Sequence, residues 1–133
     1  MPAEVKVQVV QISESASEGN VRNHSVTIDR PEAKGGADKG PMGGEFLLMG
    51  LGGCFMSNLL AAIKAREANV SNVKIDITGT ADGTPGRYVA ARMDISADFD
   101  DRELMTKLVT IAERGCLVAN TLKNALDLTI NIS

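Results

Sequence analysis

EFLLMGLGGCFMSNLLAAI, residues 45–63, is the stretch whose reading decides the fold. Eighteen consecutive uncharged residues separate Glu45 from Lys64. No proline interrupts them, and Leu47, Leu48, Met49, Met56, Leu59 and Leu60 are long side chains that favour helix. Apolar residues fall on every side of a helical wheel, so the segment is expected to be buried all round. Its length also meets the lower bound for a membrane span. Three glycines with Ser57 and Asn58 dilute the run, no aromatic belt flanks it, and no second span accompanies it. A buried central helix is the expectation, with no membrane. Cys54 stands in its middle, directly after Leu51-Gly52-Gly53.

Outward from that helix, the composition of the 133 residues bounds the rest. The length suits one domain, taken as 1–133, and 44% hydrophobic with 23% charged residues is ordinary globular chemistry. Four aromatic residues (Phe46, Phe55, Tyr88 and Phe99) make the core aliphatic and leave little to stack on bases. A net charge of −3 without a basic cluster gives no footprint for nucleic acid. The opening MPAEVKVQVV lacks a basic region and apolar signal core, so a cytoplasmic protein is expected. Two cysteines sixty-two positions apart and a single histidine, His24, make neither a disulfide framework nor a metal site. On composition alone they read as two small core hydrophobes.

Before the helix, Val5, Val7 and Val9 alternate with polar residues as a strand. Ser13–Asn20 reads as a turn, and Val26 and Ile28 mark a second strand pairing with the first as a hairpin. Residues 30–44, RPEAKGGADKGPMGG, form a glycine-rich loop that lacks the spacing of a phosphate-binding loop. After the helix come alternations at Val73, Ile75 and Ile77 and at Met93, Ile95, Ala97 and Phe99, with a turn at Asp82–Gly86 between them. Asp100 and Glu103 form a capping box for a helix running through Arg114. Gly115 ends it, Cys116 opens a short helix over 118–124, and Leu128, Ile130 and Ile132 mark a closing strand. The order β-β-α-β-β-α-α-β implies an α+β domain whose antiparallel sheet covers one side of the central helix. A second copy, in a homodimer, is expected to cover the other side.

GGADKGPMGGEFLLMGLGGCF resembles the first signature of the OsmC/Ohr family (osmotically inducible protein C and organic hydroperoxide resistance protein). AERGCLVANTLKNALDLTINIS resembles its second. The resemblance spans essentially the whole chain. It implies an OsmC-like fold, an intertwined homodimer with sites at the subunit interface, and no cofactor. It also implies thiol-dependent reduction of organic hydroperoxides in oxidative-stress defence. Cys54 would be the peroxidatic cysteine and Cys116 the resolving one, with an external dithiol, small or lipoyl-type, as reductant. Met49, Phe55 and Met56 would supply apolar walls for the substrate.

Family members carry a glutamate ten residues before the first cysteine. Here that position is Gly44, and Glu45 is the nearby carboxylate. The family's hairpin arginine would fall near Ser13, leaving Arg22, or more remotely Arg30, as the cation for Cys54. Leu117 stands where the family has a proline. These departures keep a second function open: a dimer holding a lipid-like or other small ligand in an apolar pocket, without turnover. A third reading leaves both cysteines as core filling.

Overall fold

The computed structural model describes residues 2–132. The chain divides into two compact units, Met1–Leu47 and Leu48–Ser133. Its architecture is α+β, with antiparallel sheets and one long helix.

In the first unit, β1 (Gln8–Gln11), β2 (Ser17–Val21) and β3 (His24–Ile28) form an antiparallel sheet in that order. The expected hairpin between the first two apolar runs is therefore corrected, because β2 lies between them. SEGNV carries one apolar residue and so shows no period-two signal, yet Gly19 pairs with both Val9 and Val26. The turns fall on either side of it. Ser13 Oγ accepts from Ala16 N–H (2.9 Å) at one end, and Arg22 takes φ 53° at the other.

The following loop is organised by Asp29, the buried carboxylate of this unit. Its oxygens accept from the N–H groups of Arg30 (2.7 Å), Ala37 (3.1 Å) and Lys39 (3.2 Å). Gly36 is required there, since a Cβ would sit 2.0 Å from the Arg30 carbonyl oxygen. Burial raises the Asp29 carboxyl, but these N–H donors and the Ser15 hydroxyl outweigh it and hold the group below the usual range.

The long helix α1 (Gly43–Ala65) is continuous through its glycines. Glu45 sits in its first turn and accepts from Met42 N–H at 2.8 Å, one half of a capping box. The expectation of burial all round is corrected. Leu51, Gly52, Phe55, Leu59 and Ala62 are buried, whereas Leu47, Met49 and Leu60 are exposed, because β4, β5 and α2 of the second unit pack on one side of the helix. By length and composition α1 is also apolar enough to cross a membrane, as core helices often are.

In the second unit, β4 (Val70–Asp82) and β5 (Arg87–Phe99) pair antiparallel, with Ile75 opposite Ile95 and Ile77 opposite Met93. Gly52 lets β4 close on α1: a Cβ there would lie 2.4 Å from Ile77 Cδ1. Helix α2 (Arg102–Gly115) is capped by Asp101, whose side chain accepts from Leu104 N–H (3.0 Å). Asp100, the expected cap, accepts instead from the Asn69 amide (3.0 Å). Helix α3 (Leu117–Lys123) follows at once. Phe55, Leu59, Leu108, Ala112 and Cys116 meet in one core, where each large aliphatic or aromatic side chain contributes about 1.5–3 kcal/mol of transfer free energy.

The expected closing strand is not formed among the described residues. Leu126, Leu128, Ile130 and Ile132 belong to no helix or strand and are 64%, 79%, 84% and 98% exposed. A strand needs a ladder partner, and the sheet of this unit contains β4 and β5 alone among the described residues.

Candidate active site

The corner between α2 and α3 is built by accounting for orphaned backbone groups. The last carbonyls of a helix lack intrahelical donors. Here Glu113 O accepts from Cys116 N–H (3.3 Å), Arg114 O from the Asn120 amide (3.2 Å), and Gly115 O from the Asn58 amide (3.3 Å). A single residue separates the two helices, so Cys116 is both the C-cap of α2 and the N-cap of α3. Lys123 pairs with Glu113 across the same corner.

The first N–H groups of α3 are orphans of the same kind, and they are directed at sulfur. Ala119 N–H donates to Cys116 Sγ at 3.4 Å. The Val118 and Leu117 N–H groups and the Cys116 thiol are the neighbours that favour the charged form of the Cys54 sulfur. Both cysteines are free thiols; Cys116 is fully buried and Cys54 partly so.

These contacts separate the two acidities. The Val118 N–H does most to hold Cys54 below an ordinary thiol; burial opposes it, and the Cys116 thiol and Leu117 N–H add to it. Burial pushes Cys116 up, and the neighbouring Cys54 raises it further against the Ala119 and Val118 N–H donors. Cys54 is thus the more acidic of the two, and Cys116 is the one that keeps its proton to higher pH.

Helix α1 runs unbroken through Gly52-Gly53, so Cys54 lies well inside it and gains little from the start of its own helix. Its field comes from α3. Neither Arg22 nor Arg30 is among the groups acting on its sulfur. Both are exposed residues of the first unit, as is Glu45, whose recorded partner is Met42. Of the expected apolar walls, Phe55 is sealed in the core at 2% exposure, Met56 is half-buried and Met49 is exposed. The backbone donors of Leu117 and Val118 escaped the sequence reading, because any residue except proline supplies an N–H. The one available signal was that Leu117 is not a proline.

The family described as OsmC-like protein matches residues 36–131, and the chain belongs to that family. No curated protein matches it in sequence. Solved structures share the fold at low identity. An OsmC-like protein from Mycoplasma pneumoniae is 19% identical, with a TM-score of 0.73 over 92% of this chain and 89% of that one. A hypothetical protein from Aquifex aeolicus is 19% identical, with a TM-score of 0.78 over 92% and 89%. An organic hydroperoxide resistance protein from Elizabethkingia anophelis is 15% identical, with a TM-score of 0.65 over 92% and 91%.

Proposed function

We propose that the protein is a thiol peroxidase that reduces organic hydroperoxides in oxidative-stress defence. The observation that carries this reading is the contact between two free thiols whose acidities are driven in opposite directions. Family membership supports it, and so does the name of the Elizabethkingia relative.

In the first step the Cys54 thiolate attacks the terminal peroxide oxygen. The O–O bond breaks, the alkoxide leaves and takes a proton from solvent as alcohol, and Cys54 becomes a sulfenic acid. In the second, the Cys116 sulfur attacks the Cys54 sulfur. The S–S bond forms, the S–O bond breaks, and hydroxide leaves with the Cys116 proton as water. An external dithiol then reduces the disulfide, becoming a disulfide itself. Leu117 and Val118 N–H take the place of a cationic side chain in holding the thiolate.

The working form in this reading is a homodimer. Its support is the uncovered apolar side of α1 (Leu47, Met49, Leu60), together with the exposed alternation at Leu126–Ile132. A second copy is of the right chemistry to cover both.

The test is consumption of cumene hydroperoxide with a dithiol by reduced protein. Turnover that Cys54→Ser abolishes is expected; equal consumption by wild type and variant overturns the reading. Purification with a bound lipid-like molecule and unreactive thiols decides instead for an apolar-ligand carrier.

A further inference from the structure

Asn58 is one helical turn beyond Cys54 on α1 and half-buried. Its Nδ2 donates to two carbonyls: Cys54 O at 3.1 Å and Gly115 O at 3.3 Å. The first belongs to the residue that carries one thiol. The second belongs to the residue directly before the other thiol. Both acceptors are carbonyls, so only the nitrogen end of the carboxamide can serve them, and both of its hydrogens are used.

Three donors satisfy the last carbonyls of α2, and two of them, Cys116 N–H and the Asn120 amide, come from the chain that follows α2. Asn58 alone of the three reaches across from α1. The fit is close on the other side as well, since a Cβ on Gly115 would lie 3.3 Å from Asn58 Oδ1.

We propose that Asn58 is a positioning residue that holds the Cys116 corner against the Cys54 turn and so sets how readily the two sulfurs close to a disulfide. Closing the bond demands a narrow separation of the two backbones. A side chain that spans them restrains that separation before the bond exists. Its contribution appears as a higher effective concentration of one thiol for the other, and reaction geometry of this kind is sensitive to shifts on the order of 1 Å.

In its catalytic consequence the inference rests on the peroxidase reading, so the deciding experiment omits peroxide. Reduced wild type, Asn58→Leu and Gly115→Ala are equilibrated in glutathione buffers. There, protein dithiol plus oxidised glutathione gives protein disulfide plus two reduced glutathiones. Leucine keeps the branched shape and removes the donor. Alanine at 115 keeps the donor and displaces the carboxamide; Gly115 is outside the left-handed region, so its backbone accepts the change. Thermal melts confirm that each variant is folded, and if Asn58→Leu is not, Gly115→Ala decides.

The intramolecular disulfide constant is expected to fall about tenfold in each variant, with mixed glutathione disulfide accumulating in its place. After one equivalent of cumene hydroperoxide, dimedone should trap more Cys54 sulfenic acid in the variants than in wild type. Unchanged constants in folded variants overturn the proposal. A wild type that ignores hydroperoxide, with variants whose glutathione constants still fall, overturns the peroxidase reading and leaves the positioning role standing.

Discussion

Cys54 and Cys116 share a side chain and a neighbourhood but not a proton. Cys54 lies in the middle of a helix whose own dipole does little for it, yet it is the more acidic, because the first N–H groups of another helix favour its charged form. Cys116 sits at that helix's N-cap, where the Ala119 and Val118 N–H groups favour its charged form, but it is fully buried, and burial wins. Position along a helix is therefore a poor guide to acidity when the donors come from elsewhere. The balance of desolvation against N–H donors decides it.

The strongest way to break the comparison is to remove one thiol at a time. Cys54→Ser should reduce dithiol-dependent turnover by about 10³-fold or more, to the uncatalysed background. Cys116→Ser should still form one sulfenic acid per chain, seen by dimedone labelling and mass spectrometry. It should then stall or pass to sulfinic acid, cutting steady-state turnover by about 10²-fold. If Cys116→Ser is the inactive variant and Cys54→Ser turns over, the roles are reversed.

Leu117→Pro sharpens the comparison by deleting a single donor. Proline is favoured at the first position of a helix, Cys116 already has the extended backbone (φ −78°, ψ 107°) that a residue before proline needs, and Leu117 is 73% exposed. The fold should stand while the Cys54 pKa rises. The pH dependence of sulfenic acid formation tests this directly. The rate follows the thiolate fraction, so it climbs with pH and levels off above the Cys54 pKa. In wild type the plateau should begin below that of a free thiol, about 8.5. In Leu117→Pro the whole curve should move to higher pH, and superimposable curves would remove Leu117 from the site.

Asp29 offers the smallest effect and a contrast between charge held in a loop and charge held for reaction. Its folded pKa lies below the unfolded value of about 3.9. Its contribution to stability is therefore present above that value and lost as pH falls through the folded pKa. Asp29→Asn should lower the urea midpoint modestly at pH 7, and the difference from wild type should shrink below about pH 4. Amide exchange over residues 30–42 should quicken in the variant.

What was legible in the sequence followed from periodicity and punctuation. The alternations of Val73, Ile75 and Ile77 and of Met93, Ile95 and Ala97 declared a half-wet strand pair, and Gly115 before Cys116 declared the break between α2 and α3. The apolar run declared α1. Its one-sided burial was not legible, because a wheel apolar all round does not say which chain covers which face. β2 was hidden because Ser17, Glu18, Gly19 and Asn20 carry turn chemistry, and its pairing depends on strands on both sides. The closing alternation was visible, but alternation states a preference and supplies no partner. At the site both sulfurs were legible as residues. The N–H donors of Leu117 and Val118 and the Asn58 tie were not, since main-chain donors have no letter of their own.

The most direct measurement is alkylation of the reduced wild-type protein across pH, read separately for each cysteine peptide by mass spectrometry. The predicted result is a Cys54 midpoint below about 8.5 and a Cys116 midpoint above it. Equal midpoints, or the reverse order, would contradict the assignment of thiolate and thiol on which the chemistry depends.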